Sequence, residues 1–371
     1  MERTGLTFHT LANCAPYWDE SAYWEFTSSE IDRVEAATAE IQKLALAAGE
    51  HILDHDRFAE MRIPAAALAR IRETWNSEPP ALYGRLDLAF DGKLIKLLEY
   101  NADTPTALVE AAVTQWNWLN DCFPDADQFN SLHEKLVAKW KDLIHYLEQP
   151  VYFAYDGSEE GYMTISYLRD TAEQGGHRTV PLTMHEIGWK SVQSLFVDLG
   201  CQPMRSIFKL YPWEWMLKEP FGEHALATIS DVHWIEPIWK MLWSNKALLA
   251  ILWELNPGHE LLLPAYLDGP RNLKDYVRKP LFGREGAGIT VFRNWSAEED
   301  TSAGSEVDAF VYQRLASLAS AADNSAVIGS WLVDGEPAGM GIRESSSLIT
   351  TNTSRLSLIY FIKTSYLKVN T

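Results

Sequence analysis

Residues 85–101 constrain the fold most, because they predict a β-hairpin with one polar face. Two runs rich in strand-forming residues, RLDLAF and KLIKLLEYN, flank Asp91-Gly92, a dipeptide typical of tight hairpin turns. Side chains alternate between the two faces of a sheet, so one residue more or less in the loop moves a strand's side chains to the opposite face. The loop length therefore decides which polar residues lie together.

Two loop lengths are possible for this hairpin. A two-residue loop pairs Phe90 with Lys93 and separates the acidic residues of the two strands. A three-residue loop, with Gly92 left-handed beside a bulge, pairs Phe90 with Leu94 instead. We predict the three-residue loop, which puts five residues on one face: Arg85, Asp87, Leu97, Glu99 and Asn101.

The residues on that face suit a hard cation. Two carboxylates, of Asp87 and Glu99, and the amide of Asn101 supply the oxygen ligands that Mg²⁺ prefers. Arg85 would neutralise the acids or hold a phosphate. An ordinary salt bridge on a solvated hairpin face is the alternative interpretation of the same pattern.

A second group of charged residues lies in the C-terminal third. The segment YVRKPLFGREGAGITVF predicts a strand, a glycine-rich loop and a strand, with Lys279 at the end of the first strand. Backbone amides of such a loop can bind phosphate oxygens, although the segment matches neither the P-loop nor the Rossmann fingerprint. Lys246 begins a predicted helix and Arg343 lies on a predicted strand. The alternatives are a surface lysine and a cross-strand salt bridge.

Composition excludes several kinds of partner. The 371 residues are 47% hydrophobic and can bury a large core. The net charge of -19 argues against nucleic acid and anionic membrane as partners. No apolar run approaches the length of a membrane span. Three widely separated cysteines and an N-terminus unlike a signal peptide predict a cytoplasmic protein.

Periodicity predicts the main elements. Residues 150–236 alternate strand and helix, as a small α/β unit would. Asp334-Gly335 predicts a hairpin turn. Apolar residues at helical spacing predict helices, the first capped by Ser29, in these segments: 29–55, 64–75, 106–123, 129–147, 159–176 and 235–259.

The chain resembles the glutathionylspermidine synthase family, the ligase half of glutathionylspermidine and trypanothione synthetases. The matching blocks occur in the same order: GRLDLAF…KLLEYNADTPT, DGSEEGY, FKLYPWEW, EPIWKMLWSNKALLAILW…PGH, YVRKPLFGREG, VYQ and GSWLVDGEPAGMGIRE. The resemblance runs to about Ser354. It is strongest to the short bacterial acid–amine ligases that lack an amidase domain.

The resemblance implies a fold of the α+β class. This is an ATP-grasp fold, in which two lobes of antiparallel sheet with helices hold ATP, and a smaller α/β pre-ATP-grasp unit accompanies it. The implied organisation is N-terminal helices and a metal-binding hairpin in 1–149, the α/β unit in 150–235, and the nucleotide-binding region in 236–371.

The resemblance also implies the roles of individual residues. Two Mg²⁺ ions are expected on Asp87, Glu99 and Asn101. ATP is expected to contact Arg85, Asp87, Lys246, Lys279, Arg284, Glu285, Gly286 and Gln313. Catalytic roles at the γ-phosphate and the developing acyl phosphate fall to Arg85 and Arg343. The substrate is expected near Thr104, Thr106, Glu159 and Glu160.

The implied activity is an ATP- and Mg²⁺-dependent ligase that joins a small-molecule acid to an amine. The acid, an amino acid or small peptide, becomes an acyl phosphate, and the amine then displaces phosphate. Such catalysis depends on positioning and electrostatics, which lysines, arginines and Mg²⁺ supply. A non-catalytic nucleotide-binding relative and an ATP-grasp small-molecule kinase are the alternatives.

Two segments depart from the family pattern. Family members that use glutathione have a threonine after the lysine of the K-T-W-A-W-E block, where this chain has Leu210 after Lys209. Leucine cannot donate a hydrogen bond, so we expect this chain not to join glutathione to spermidine efficiently. The tail LSLIYFIKTSYLKVNT also differs, and it is either an extra strand or an extension.

Overall fold

The computed structural model describes residues 17–301, 309–321, 323–351 and 354–362. The strands are β1 (Trp18–Thr27), β2 (Tyr83–Phe90), β3 (Ile95–Asn101), β4 (Val151–Tyr155), β5 (Thr179–Thr183), β6 (Gly188–Lys190), β7 (Leu195–Val197), β8 (Ser206–Leu210), β9 (His233–Ile235), β10 (Ala265–Tyr266), β11 (Tyr276–Pro280), β12 (Thr290–Arg293), β13 (Ser296–Asp300), β14 (Phe310–Arg314), β15 (Ser320–Ala321), β16 (Asn324–Val333), β17 (Glu336–Ser345) and β18 (Arg355–Ile362). The α-helices are α1 (Ser28–Asp54), α2 (Ala65–Ser77), α3 (Gln115–Cys122), α4 (Leu132–Asp142), α5 (Glu159–Gln174), α6 (Trp213–Met216), α7 (Gly222–Ala227), α8 (Met241–Ser244) and α9 (Ala247–Leu255).

The largest sheet combines strands from both ends of the chain. Its order is β1-β18-β17-β16-β2-β3, with β15 paired to β16, and every pair is antiparallel except β1 with β18. Strand β18 contains the start of the divergent tail, so residues 355–362 are the extra strand that was one of the two predictions. Residues 363–371 of the tail lie outside the described residues.

A second, five-stranded sheet is antiparallel throughout. Its order is β10-β14-β11-β12-β13. The glycine-rich segment 281–289 connects β11 to β12, so the predicted strand–loop–strand arrangement is confirmed.

A third sheet, of order β5-β4-β8-β9, is entirely parallel. Helix α5 crosses over between β4 and β5, as parallel neighbours require. The predicted alternation of strand and helix in residues 150–236 is confirmed. A small antiparallel sheet pairs β6 with β7. With a mixed, two antiparallel and one parallel sheet among its described residues, the chain is a mixed α/β protein.

Local signals account for several helix boundaries. Helix α1 is capped by Thr27 rather than by Ser29, because the side chains of Thr27 and Glu30 form a capping box. Its residues Val34, Ile41 and Ile52 are fully buried at helical spacing. They belong to the main core, in which α1 packs against α9 and the largest sheet.

Two predicted helices are interrupted. In 235–259, Asn245 takes an extended conformation (ψ 126°) between α8 and α9, and its side chain accepts a hydrogen bond from the Ala247 amide. Lys246 therefore stands directly before α9, as predicted. In 106–123, a π-helix (Glu110–Thr114) precedes α3. None of the helices in the described parts of the chain has the length and hydropathy of a transmembrane span.

Candidate functional site

A cleft lies between the largest sheet and the five-stranded sheet. Strands β2, β3 and β17 form one wall, and β11, β12, β14 and the glycine-rich loop form the other. Twelve of the predicted site residues line it: Arg85, Asp87, Glu99, Asn101, Thr104, Thr106, Lys279, Arg284, Glu285, Gly286, Gln313 and Arg343. The structure therefore brings together residues that are up to 258 positions apart in the sequence.

Three predicted residues do not line the cleft directly. Lys246 lies behind it and contacts Glu99, with 3.2 Å between Nζ and Oε2. Glu160 hydrogen bonds to the cleft residue Thr106. Glu159 is exposed in the first turn of α5.

The hairpin β2–β3 has a wider turn than predicted. Phe90 pairs with Ile95 rather than with Leu94, so the loop has four residues and the predicted three-residue loop is wrong. The Asp91 carboxylate accepts hydrogen bonds from the backbone amides of Lys93 (2.9 Å) and Leu94 (2.7 Å). These bonds hold the wider loop closed.

A bulge in β3 restores the polar face. Leu98 is the extra residue, and beyond it the register shifts by one. The opposed residues are then Arg85 with Asn101 and Asp87 with Glu99. Leu97 lies on the other side of the bulge, where it pairs with Leu88 and is buried in the core. Its predicted place on the polar face is wrong, because that prediction contained no bulge at Leu98.

Charged groups at one end of the cleft are paired. The Asp87 carboxylate accepts hydrogen bonds from Arg85 Nε (2.8 Å) and from Arg343 Nη2. Glu99 accepts from Asn101 Nδ2 (3.0 Å) in addition to its contact with Lys246. We call this group the cationic end of the cleft: Arg85, Asp87, Glu99, Asn101, Lys246, Lys279 and Arg343.

Burial and charge act in opposite directions on the ionisable groups there. Burial alone would raise the pKa of Glu99, but the ammonium groups of Lys246 and Lys279 more than offset it and lower that pKa. Burial lowers the pKa of Lys279 to about 8, against the opposing effect of Glu99. Lys279 Nζ donates to Gln313 Oε1 (2.8 Å) and to the Leu98 carbonyl (3.0 Å). Glu99 is therefore ionised at neutral pH.

The donor set fits a hard divalent cation. Across the described residues, no three His, Cys, Asp or Glu side chains are grouped to hold a metal. The predicted set has two carboxylates and one amide, on Asp87, Glu99 and Asn101, and oxygen donors of this kind suit Mg²⁺. In this structure Arg343 and Lys246 occupy the same carboxylate oxygens that such an ion would need.

The glycine-rich loop is anchored to both sides of the cleft. Gly283 accepts a hydrogen bond from Lys246 Nζ (2.6 Å), and the Arg284 guanidinium donates to Thr104 Oγ1. Gly286 has φ +74° and lies where a Cβ would come within 2.7 Å of the Thr350 carbonyl. A side chain at Gly286 would therefore be strained and would displace the loop.

Asp103 is a buried residue with hydrogen bonds to three other segments, and the sequence analysis gave it no role. Its carboxylate accepts hydrogen bonds from Lys209 Nζ (2.6 Å) and from the Trp213 amide (3.0 Å). Its own amide donates to Ser244 Oγ (2.9 Å). Lys209 is fully buried, and burial lowers its pKa while Asp103 opposes that shift. Two features of the sequence could have indicated this pair: the acid at the end of LEYNAD and the lysine within the apolar strand segment FKL.

A second group of cleft residues adjoins the first, since Arg85 Nη1 donates to the Thr106 carbonyl (2.7 Å). Glu214 lines the cleft with Thr104 and Thr106, and Glu160 lies beside Thr106. Burial raises the pKa of both glutamates. Among the described residues, neither has a salt bridge within 4.0 Å. We call this group the acidic end of the cleft: Thr104, Thr106, Glu160 and Glu214.

Two further residues bear on the substrate region. Glu110, at the start of the π-helix, is buried and accepts a hydrogen bond from the Tyr17 hydroxyl (2.9 Å), and burial raises its pKa to about 7. Leu210 packs in the apolar cluster with Phe153 and Phe208 and does not line the cleft. The position of Leu210 therefore gives no support to the argument from its missing hydroxyl, and the expectation about glutathione stays a prediction.

Comparisons with known proteins agree on one family. The family described as "Glutathionylspermidine synthase preATP-grasp" matches residues 1–361. A Haemophilus influenzae protein named "Putative acid--amine ligase" is 38% identical over 360 residues, which cover 93% of this chain and 91% of that protein. Trypanothione synthetase of Crithidia fasciculata is 27% identical over 334 residues, and the bifunctional glutathionylspermidine synthetase/amidase of Escherichia coli is 25% identical over 376.

The coverage of these relatives differs. The alignment with the trypanothione synthetase covers 82% of this chain but 51% of that enzyme. The alignment with the bifunctional enzyme covers 93% of this chain and 60% of that protein. The chain thus spans between half and three-fifths of these two relatives and nearly all of the first.

Proposed function

Because the chain belongs to the glutathionylspermidine synthase family of amide-bond-forming ligases, we propose that it is an ATP- and Mg²⁺-dependent carboxylate–amine ligase with an ATP-grasp fold. When bound with Mg²⁺, ATP supplies the phosphoryl group that turns a carboxylate into an acyl phosphate, from which an amine displaces phosphate. The acid is a small molecule such as an amino acid or short peptide. The two sheets that flank the cleft, one antiparallel and the other antiparallel except for β1 with β18, support the fold assignment.

One observation carries the proposal: four cationic side chains gather around two carboxylates at the cationic end of the cleft. Arg85, Arg343, Lys246 and Lys279 outnumber Asp87 and Glu99, although the whole chain carries a net charge of -19. A local excess of positive charge in an acidic protein favours an anionic ligand at that place. A nucleotide triphosphate is an anion of this kind.

Arg343 gives a more specific indication of an anionic ligand. Its Nε is buried and has no hydrogen-bond partner among the described residues, although the side chain lines the cleft. A buried donor of this kind calls for a partner that is missing from the protein itself. We assign Arg343 and Arg85 to the transferred phosphoryl group, where guanidinium groups match phosphate oxygens.

The remaining residues divide between nucleotide and substrates. We assign the nucleotide phosphates to Lys246 and Lys279 and two Mg²⁺ ions to Asp87, Glu99 and Asn101. We assign binding of the rest of the nucleotide to Arg284, Glu285, Gly286 and Gln313. We assign binding of the acid and the amine to Thr104, Thr106, Glu159 and Glu160. The oxygen donors of Asp87, Glu99 and Asn101 support the metal assignment. Mg²⁺ would have to share Asp87 and Glu99 with the side chains of Arg343 and Lys246.

The proposal is tested by measuring ADP release with Mg²⁺ across pairs of acids and amines. The acids are amino acids and short peptides, glutathione included, and the amines include spermidine. Mass spectrometry then identifies the product, and an amide is expected. Arg343→Ala should lose activity, whereas Arg205→Ala, at a residue that does not line the cleft, should not. ATP binding without turnover would indicate a non-catalytic relative, and a stable phosphate ester would indicate a kinase.

A further inference from the structure

Glu214 is a half-buried cleft carboxylate without a salt bridge, whereas Glu285, the other cleft acid without one in the described residues, is exposed. Within the described residues, no Lys, Arg or His nitrogen lies within 4.0 Å of it, and its carboxylate hydrogen bonds to its own backbone amide. The other acids at the cleft wall contrast with it. Asp87 is held by two arginines, Glu99 by a lysine and Asp103 by Lys209.

The position of Glu214 is fixed by a buried contact. It follows Trp213, whose backbone amide donates to Asp103, and Pro212 turns the chain into the short helix α6. Asp103 lies two residues after Asn101 and is itself tied to Ser244. The acidic carboxylate is therefore held at a fixed place relative to the cationic end, although the two segments are more than 100 residues apart in sequence.

The charged groups that face Glu214 come from three elements. Asp103 lies after β3, Lys209 is on β8, and Arg284 is in the glycine-rich loop. Burial is the largest cause that raises the pKa of Glu214, and the negative charge of Asp103 raises it further. The positive charges of Arg284 and Lys209 lower it. The net effect raises the pKa of this carboxyl above its ordinary value.

We propose that Glu214 is the base that takes a proton from the attacking amine. This inference rests on the proposed ligase function, and it adds a catalytic residue to it. An alkyl amine is almost entirely an ammonium ion at neutral pH and has no lone pair for attack. A cleft carboxylate without a salt bridge can receive that ammonium group and accept its proton.

The step balances as follows in atoms and charge. The ammonium ion gives one proton to the Glu214 carboxylate and becomes a neutral amine. The nitrogen lone pair forms the C–N bond at the acyl carbon, and the C–O bond to phosphate breaks with its electron pair on the phosphate oxygen. The second proton that nitrogen loses goes to the departing phosphate, and Glu214 returns its proton to water.

The decisive experiment compares two nucleophiles in the wild type and in Glu214→Gln. Hydroxylamine is largely unprotonated at neutral pH and needs no base, whereas an alkyl amine does. With the acid identified by the ADP-release screen, ADP and product are measured for each nucleophile. Glu223→Gln, an exposed acid in the same unit, is the matched control.

The base role predicts a selective loss. Glu214→Gln should lower kcat with the alkyl amine by about 10²- to 10⁴-fold, the usual contribution of general acid–base catalysis, and leave hydroxamate formation nearly unchanged. Glu223→Gln should match the wild type with both nucleophiles. An equal loss with both nucleophiles, or no loss with the alkyl amine, would overturn the base assignment while leaving the ligase function standing.

A second measurement does not depend on the variant folding. In the wild type, kcat with the alkyl amine should fall at low pH as one group protonates, and kcat with hydroxylamine should lack that group's titration. Identical pH profiles for the two nucleophiles would contradict the proposal. If the wild type forms neither amide nor hydroxamate with any acid in the pool, the ligase function itself fails, and this inference fails with it.

Discussion

The two ends of the cleft hold the same chemical group, a carboxylate, in opposite electrostatic settings. At the cationic end, lysines next to Glu99 lower its pKa and keep it charged. At the acidic end, Glu160 and Glu214 are partly buried without a salt bridge in the described structure, and their pKa values are raised. Desolvation acts at both ends. The contact of Lys246 with Glu99 and the nearby Lys279 outweigh it, whereas Arg85, Arg284 and Lys209, which form no salt bridge with Glu160 or Glu214, do not.

This difference suits two different tasks. Carboxylates that stay ionised can bind metal ions, and the surplus cations around them can bind phosphate. Carboxylates with raised pKa values can exchange protons with an amine. The buried pair of Asp103 and Lys209 joins the two ends, since Asp103 follows the hairpin and Lys209 precedes the segment that carries Glu214.

The largest expected effect comes from breaking the buried ion pair of Asp103 and Lys209. Asp103→Asn leaves the ammonium of Lys209 buried without its partner, and we expect the free energy of unfolding to fall by about 3–5 kcal/mol in urea denaturation. Adding Lys209→Met should recover part of the loss. Glu298→Gln, which breaks the exposed pair with Arg293, is the control and should change little. If the free energy of unfolding of Asp103→Asn equals that of the wild type, the Asp103–Lys209 pair does not stabilise the contact between the two ends of the cleft.

The next effect concerns the cationic end alone. Glu99→Gln removes one of two carboxylates assigned to Mg²⁺ and leaves Lys246 without its ion pair, so ADP release should fall by about 10²- to 10³-fold. Thermal unfolding checks that the variant is folded, and Glu336→Gln, at an exposed position of β17, is the matched control. ADP release close to that of the wild type would remove Glu99 from the metal site.

A smaller effect is expected for nucleotide binding. Lys279→Met keeps the side-chain length but removes a charge-assisted contact worth about 1.5–3 kcal/mol, so ATP affinity should fall roughly ten- to a hundredfold in titration calorimetry. The exposed Lys218→Met serves as control. If both variants bind ATP equally well, the phosphates lie elsewhere and the cationic end has been misassigned.

The smallest effect is expected at the boundary of the acidic end. Leu210→Thr places a hydroxyl in an apolar cluster and should cost about 1–3 kcal/mol of stability. Because Leu210 does not line the cleft, the range of acids and amines that support ADP release should stay the same. A gain of activity with glutathione in this variant would show that position 210 reaches the substrate after all, and the extent of the acidic end would need revision.

Sequence reasoning succeeded where the relevant contacts are local. The turn at Asp334-Gly335 and the alternation in residues 150–236 depend on neighbours a few positions away, whereas the predicted cap of α1 at Ser29 was wrong by two residues. It failed where one residue changes the geometry. Periodicity alone does not contain the bulge at Leu98 or the break at Asn245, since each depends on hydrogen bonds to other parts of the chain.

The sequence by itself therefore determined which side chains carry charge and which segments form helices and strands. It also determined that two acids and an arginine lie on one hairpin. Only the tertiary structure decided which charges are paired. Arg343 reaches Asp87 across 256 positions, and Lys209 reaches Asp103 across 106. Pairing sets whether a buried carboxylate stays ionised, and pairing over such distances follows from the packing of whole sheets, which no local pattern encodes.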